Sequence, residues 1–154
     1  MFILDDVKND KILKDSENLF KQYYRDDSPQ GYSLERLNIG FRALQGGLTC
    51  ENTAKLMDSS LDNERLDVVA EAFNEKRSSE EIKLLYTSDG RTPNSAEKMR
   101  NIKRGYDANL DVSELKTVVN DYYDDQFKNY VICRENGLSV DDSKVVSDFG
   151  KYHI

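Results

Sequence analysis

The sequence contains no tryptophan, only two prolines and only two cysteines among its 154 residues. Because proline interrupts helices, its scarcity leaves long stretches of the chain free to be helical. The two cysteines, Cys50 and Cys133, lie far apart and share no spacing typical of a metal site. We expect both thiols to be reduced and to act as small buried hydrophobic residues in a cytoplasmic protein.

Long hydrophobic runs are also absent. No apolar stretch approaches the roughly 20 residues that are needed to cross a membrane, so we expect no membrane span. The opening segment Met1–Asp6 is too short and too acidic to be a signal peptide. These features favour a protein that works away from the membrane.

Acidic residues outnumber basic ones by 29 to 22, which gives a net charge of −7. We therefore expect no direct nucleic-acid binding, because contacts with phosphate need a positive surface. A basic protein partner is compatible with this charge. Hydrophobic residues make up only 38% of the chain, but they fall into periodic groups and the charges are mixed in sign. This pattern favours a folded helical protein with a polar surface over a disordered chain.

Four apolar anchor residues recur at intervals of about 30 residues, the length of one helix-turn-helix repeat. Each is preceded by a long polar side chain, and the anchors are Leu37, Leu66, Met99 and Phe127. A small residue stands at the sixth position after each anchor, namely Ala43, Ala72, Gly105 and Cys133. Around the anchors the apolar residues follow a helical period. The sequence therefore predicts four units of two helices, at about 34–60, 61–90, 91–122 and 123–154.

Each unit also carries signals for a tight turn and for the start of a second helix. Residues that accept a left-handed conformation mark three of the turns: Gly46–Gly47, Asn109 and Asn136–Gly137. Residues that cap helix N-termini follow in all four units: Thr49, Ser78, Asp111 and Ser139. Glu81 and Glu114 stand three positions after their caps and predict capping boxes.

One helix pair cannot bury its apolar face alone, so the units are expected to stack. We predict an all-α protein of about nine helices, arranged as a short α-solenoid or bundle and forming one domain overall. Residues 1–33 differ from the repeats, and a helix at about Asp15–Arg25 is predicted to cap the first unit. The loop 87–94, which contains Gly90 and Pro93, is a candidate hinge between two halves.

The third unit carries a resemblance to a known class of repeats. Its pattern Met99-x-x-Ile102-x-x-Gly105, followed by Leu110-Asp111-Val112, resembles the short tandem helix-turn-helix repeats in proteins of bacterial plasmids, prophages and related mobile elements. The fourth unit matches this pattern less fully, and the first two have drifted further. The resemblance implies an interaction scaffold in a mobile-element setting, and it implies no catalytic residues.

Few residues suggest chemistry. The segment Asp107–Ser113 imitates the start of a calcium loop, but Val112 stands where such loops need glycine and Val118 where they need glutamate. The repeat pattern explains the same residues as a turn and an N-cap. The single histidine, His153, lies next to the chain end, and no glycine-rich phosphate loop occurs. We therefore expect no metal site, no cofactor and no enzymatic activity.

A cluster of bases on the first helix of the third unit is the clearest candidate for partner binding. The candidates are Lys98, Arg100, Lys103 and Arg104, together with Tyr123 from the following Tyr122–Tyr123 pair, of which one ring should face outward. Exposed tyrosine is a common interface anchor. The alternative is that the basic residues form an ordinary solvated helix face.

The leading function is a non-enzymatic protein–protein interaction module of a phage or mobile element. The alternative is a small acidic inhibitor that mimics nucleic acid and blocks a host defence protein of the restriction or CRISPR type. Val146 and Phe149 lie near the end of the last unit without an evident polar cap. Since the end of a repeat stack needs a cap or a partner, this end is also a candidate site of homodimerisation.

Overall fold

The computed structural model describes residues 14–15 and 34–151. Lys14 and Asp15 are helical, and the rest of the predicted capping segment lies outside the described residues. Within 34–151 there are eight helices and no strand, which confirms the all-α prediction. The helices are α1 (Leu34–Gln45), α2 (Cys50–Met57), α3 (Asn63–Asn74), α4 (Ser79–Tyr86), α5 (Ala96–Asp107), α6 (Val112–Asp121), α7 (Asp124–Glu135) and α8 (Val140–Lys151).

The chain divides into two compact units, residues 1–77 and 78–154. Helices α1–α3 belong to the first unit and helices α4–α8 to the second. The division falls in the turn between α3 and α4. The loop 87–94, the candidate hinge, lies wholly inside the second unit, so the division between the units is not at this loop.

The same turn geometry closes the first helix of each of the four pairs. The tenth residue after each anchor has a positive φ: Gly47 (103°), Lys76 (64°), Asn109 (66°) and Gly137 (91°). The N–H of the next residue donates to the carbonyl of the small residue at the sixth position, at 3.1, 3.1, 2.9 and 3.0 Å in the four pairs. This bond is the hallmark of the Schellman C-cap. In the second turn Lys76 replaces the expected Gly or Asn, and its Nζ donates to the carbonyl of Gly46.

The predicted N-caps are confirmed in the four second helices. The side chains of Thr49, Ser78, Asp111 and Ser139 each accept a hydrogen bond from the backbone N–H three positions later, at distances of 2.8–3.2 Å. A full capping box forms at Ser78 and Glu81. The capping box predicted at Asp111 is only half formed, because the carboxylate of Glu114 bonds to Arg134 instead of reaching back.

The four anchors Leu37, Leu66, Met99 and Phe127 are all fully buried. At Gly105 an added Cβ would lie 2.6 Å from Leu115 Cδ2, so glycine lets α5 and α6 approach closely there. The expectation that both cysteines are buried is wrong, since Cys50 and Cys133 are half-buried. Burial and the nearby Asp15 raise the pKa of the Cys50 thiol, which keeps it protonated.

One arginine closes the first helix pair. Arg36 on α1 donates from Nε and Nη2 to the carbonyl of Met57, at 2.9 and 2.6 Å. Its guanidinium also donates to the carbonyls of Ser59 and Leu61 and to Asn63 Oδ1. The last carbonyls of a helix have no partner within the helix. Arg36 therefore holds the C-terminal end of α2 and the loop after it against α1.

Candidate interaction surface on the last helix pair

Two tyrosines, Tyr122 and Tyr123, come immediately before α7 and face different ways. Gln126 Oε1 accepts a hydrogen bond from the backbone N–H of Tyr123 at 3.1 Å, which fixes the start of the helix. Tyr122 is half-buried, and its ring lies 6.4 Å from that of Tyr130. Burial raises the pKa of Tyr122 to about 12, and its hydrogen bond with Asp148 adds to the effect. Tyr123, by contrast, is 77% exposed, so the expected alternation places Tyr123 outward.

The carboxylate of Glu114 ties α7 to α6. Glu114 Oε2 accepts hydrogen bonds from Tyr130 Oη and Arg134 Nε, both at 2.7 Å. Arg134 also donates to the carbonyl of Leu138, in the turn before α8. Burial disfavours the charged form of Glu114, but the bonds from Arg134 and Tyr130 outweigh it, and the pKa of Glu114 is lowered. This cluster holds the start of α8 in place.

Helix α8 turns its apolar residues away from its own unit. It packs mainly against α7, and the residues that it buries completely are Ser143 and Ser147. Val145, Val146 and Phe149 are 66%, 45% and 63% exposed. Val145 and Phe149 lie on the opposite side of the helix from the serines, and Val146 lies beside them, at the i, i+1, i+4 spacing of neighbouring positions. We call Val145, Val146 and Phe149 the outer face of α8.

This arrangement is the reverse of an ordinary surface helix, which buries its apolar stripe and exposes its polar side. In the described part of the chain, the most exposed large hydrophobic residues are those of the outer face of α8 and Tyr123. All four therefore belong to the last helix pair or immediately precede it. Clustered exposed apolar side chains mark interaction sites on soluble domains.

The basic residues of α5 do not form one common surface. Lys103 is only 7% exposed and pairs with Asp107 at 3.1 Å. Arg100 is exposed on the outside of the helix. The remaining two bases, Lys98 and Arg104, face acids of α7. Partner binding by these four residues stays a prediction, but burial removes Lys103 from any shared patch.

Ion pairs align α5 with α7. Lys98, near the start of α5, lies 3.6 Å from Asp124 at the start of α7. Arg104, in the last turn of α5, makes two bonds to Glu135 at the end of α7, at 2.5 and 3.2 Å. The two helices therefore run side by side in the same direction. The pairing with Glu135 raises the pKa of Arg104.

The loop 87–94 is braced by its own hydrogen bonds. Asp89 Oδ1 accepts from the backbone N–H groups of Arg91 and Thr92, both at 2.8 Å, and these bonds lower the Asp89 pKa to about 2. Asn94 Nδ2 donates to the carbonyls of Leu84 and Leu85. The loop therefore caps the end of α4 as a fixed structure.

Beside this loop, α4 and α6 border an open cleft of about 730 Å³. Its lining carries both charge signs, from Glu80, Lys83, Asp89 and Lys116. Because both signs are present, the charge of the lining favours neither an anionic nor a cationic ligand. The described residues include no group of three or more His, Cys, Asp or Glu side chains placed to hold a metal ion.

The calcium-like segment has the structural role that the repeat pattern predicted. Asn109 supplies the positive φ of the turn, and Asp111 caps α6 by accepting from the N–H of Glu114. His153 lies outside the described residues.

No protein-family model, no curated protein sequence and no solved structure matches this chain. The resemblance to mobile-element repeats therefore stays a prediction from sequence. Over the described residues, every helix is too short or too polar to span a membrane.

Sequence reasoning identified Tyr123, Val146 and Phe149, but it did not identify the reversal of α8. The available signal was the spacing of Ser143 and Ser147, which are four positions apart and lie opposite Val145 and Phe149 on a helix. Sequence reasoning also did not identify the hydrogen bonds that Arg36 and Glu114 make between helices. Both join residues of separate helices, and no local motif links such residues.

Proposed function

We propose that this chain is a non-enzymatic protein–protein interaction module whose contact surface is the outer face of α8 together with Tyr123. The observation that carries the proposal is the reversal of α8, which buries serines and exposes valines and a phenylalanine. Removing apolar surface from water contributes about 25 cal/mol per Å². Aromatic residues at the centre of such a surface commonly dominate the binding energy.

The setting of the module is proposed on sequence grounds. The tandem helix-turn-helix resemblance supports a phage or mobile-element origin. The half-buried, unpaired thiols of Cys50 and Cys133 support a reducing, cytoplasmic compartment. A protein partner fits the apolar character of the outer face of α8 better than a nucleic acid does. A protein surface that binds nucleic acid needs positive charge to contact the phosphates.

Site-specific photocrosslinking in the native host tests the proposal. A photoreactive phenylalanine analogue would replace Val145 or Tyr123, and Lys55 on α2, which is also well exposed, would serve as the control position. We expect protein adducts from positions 145 and 123 and none from position 55. Equal adducts from all three positions, or no adducts from 145 and 123, would contradict the proposal.

The partner identified in this way allows a quantitative test. Val145→Asp and Phe149→Asp should each weaken its binding at least about tenfold, because a charge in a desolvated contact is costly. Arg91→Asp, in the exposed loop of the same unit, is the matched control and should leave the affinity unchanged.

The acidic-mimic hypothesis remains the alternative. Several acids of residues 78–154, including Asp124 and Glu135, face bases of their own chain. These pairings weaken the negative surface potential that a nucleic-acid mimic needs. Excess duplex DNA or RNA separates the two functions. A partner that is displaced by the nucleic acid and by moderate salt would favour mimicry, whereas binding that resists both would favour the apolar contact.

A further inference from the structure

We propose that Asn136 is a site of spontaneous deamidation and that its conversion loosens the turn that positions α8. Asparagine is one of the chemically labile side chains of proteins. Asn136 is followed by Gly137, whereas each of the other asparagines is followed by a residue with a side chain. Because glycine has no Cβ, its backbone nitrogen is the least hindered. The end of α7 therefore carries the arrangement in which an asparagine side chain is attacked most readily.

The reaction joins the two residues in a ring. The Gly137 nitrogen gives up its proton to solvent and attacks Cγ of Asn136, and the bond from Cγ to Nδ2 breaks. Nδ2 takes a proton from solvent and leaves as ammonia. Water then adds to either carbonyl of the succinimide ring and opens it, which leaves an aspartate or an isoaspartate. The net change is the conversion of an amide and a water molecule to a carboxylate and ammonium.

The folded turn leaves room for the ring but holds its atoms apart. Asn136 and Gly137 are exposed, and a Cβ built on Gly137 meets no atom within 4 Å. Asn136 Nδ2 donates to the carbonyl of Ile132 at 2.8 Å, and the Gly137 N–H donates to the carbonyl of Arg134 at 3.0 Å. The ψ of Asn136 is 9°, close to the helical range. Ring closure must therefore follow opening of this turn, and helix ends open more readily than helix centres.

Both products weaken the turn. A carboxylate at position 136 replaces the donor to Ile132 with an acceptor, next to the negative end of the α7 dipole. Isoaspartate also adds one atom to the main chain between positions 136 and 137. Two hydrogen bonds of the Schellman turn cross this point, from Gly137 to the carbonyl of Arg134 and from Leu138 to that of Cys133. The added atom disrupts both bonds, so α8 loses its fixed start.

The Asp89–Gly90 step provides a comparison within the chain, because aspartate before glycine forms the same ring by loss of water. The Asp89 carboxylate accepts from the N–H groups of Arg91 and Thr92, and the Gly90 N–H donates to Thr87 Oγ1 at 3.1 Å. These bonds hold the carboxylate in its ionised form, which is a poor electrophile. We therefore expect isoaspartate at position 136 and none at position 89.

Peptide mass spectrometry and an isoaspartate-specific methyltransferase test the proposal on the full chain. After incubation of the folded protein at mildly alkaline pH, Asn136 should be converted, whereas Asn129, an exposed residue of α7 that precedes a tyrosine, should stay intact. Unfolding in urea should speed the conversion at least about tenfold, because the turn no longer has to open. Asn136→Gln is the control, since its longer side chain closes a ring far more slowly, and it should stay unmodified.

The effect on α8 is measured on separated products. Ion exchange isolates the converted chains by their added negative charge. The backbone amides of α8 should exchange hydrogen at least about tenfold faster in the isoaspartate fraction than in the unconverted chain. Asn136→Asp, which has the charge without the added main-chain atom, should show a smaller increase.

Three results would overturn the proposal. The first is an intact Asn136 in the folded chain after about a hundred times its half-life in urea. The second is conversion of Asn129 as fast as that of Asn136. The third is an isoaspartate fraction whose α8 amides exchange at the unconverted rate. None of them bears on the proposed interaction module, because the contact surface does not depend on this modification.

Discussion

The first helix pair, α1–α2, and the last, α7–α8, share one local framework but use their second helices in opposite ways. Both pairs bury the anchor, turn at a glycine with positive φ and cap the second helix with a hydroxyl. Nineteen positions after the anchor, however, Leu56 is buried whereas Val146 is exposed. Caps and turns set the backbone, and the side chains then decide which face of the second helix is covered.

The two pairs are also closed by different arginines. Arg36 donates to backbone carbonyls and to one amide oxygen, and the charge of Asp62 lies nearby. Arg134 donates mainly to the carboxylate of Glu114. The hydrogen bonds of the first closure therefore go to groups that do not titrate, whereas those of the second go to a carboxylate that can be protonated.

The largest contrast is expected at the equivalent positions Leu56 and Val146. Leu56→Ala should lower the free energy of unfolding by about 2–4 kcal/mol, because it leaves a cavity in a packed core. Val146→Ala should change it by less than about 0.5 kcal/mol in dilute solution, because the side chain is exposed. Urea denaturation followed by circular dichroism measures both, and equal losses would break the contrast between the pairs.

Removal of the first arginine closure should have the next largest effect. Arg36→Met keeps the length of the side chain but leaves the Met57 and Leu61 carbonyls without their donor, and should cost about 2 kcal/mol of unfolding free energy. The control is Arg42→Met on the same helix. Arg42 pairs with Asp67 at 2.6 Å at the protein surface, and the loss of such a surface ion pair should cost less than about 1 kcal/mol. Similar losses for both would show that Arg36 does not close the pair.

The second closure should respond to pH. Because the pKa of Glu114 is lowered in the folded protein, its contribution is present above the unfolded-state pKa of about 4.3 and is lost as the pH falls below it. Glu114→Gln should cost about 1–2 kcal/mol at neutral pH and should flatten the acid side of the melting-temperature profile. Arg36→Met should change the acid side of that profile less, because its hydrogen-bond acceptors do not titrate. Parallel profiles for both variants would refute the distinction.

The smallest effects are expected at a position that both pairs share. Thr53 and Ser143 occur at the same offset from their anchors, and both carry a buried hydroxyl without a hydrogen-bond partner. Thr53→Val and Ser143→Ala should therefore raise the free energy of unfolding by up to about 1 kcal/mol. Ser147→Ala is the control, since the Ser147 hydroxyl donates to the carbonyl of Ser143 at 2.8 Å, and its loss should be destabilising. Thermal unfolding would reveal the sign in each case.

Sequence predicted most of what is local. The positive-φ turns at Gly47, Asn109 and Gly137 and the caps at Thr49 and Ser139 depend on residues within a few positions of one another. Such short-range hydrogen bonds are determined by residue type at fixed spacing. For this reason the end of the first helix and the start of the second followed from the sequence in each pair, apart from the turn at Lys76, which has none of the usual turn preference.

The features that the sequence did not predict depend on which helices pack against one another. Lys103 looked like a surface base, but it is buried because its stem packs inward while its ammonium reaches Asp107. The Glu114–Arg134 closure joins residues 20 positions apart, and helical periodicity does not reveal such a partner. The sequence left Val146 and Phe149 without a cap, but it did not show that Ser143 and Ser147 are the residues that α8 buries.

The turn and cap that join each helix pair occupy only a few consecutive residues. The left-handed residue ends one helix, and the N-cap of the next helix follows two positions later. A few consecutive codons therefore encode the whole junction between the two helices. Duplication of such a stretch with its two helices would carry the start and stop signals with it. A protein of this construction can lengthen or shorten during evolution by whole helix pairs, without new signals at the junctions.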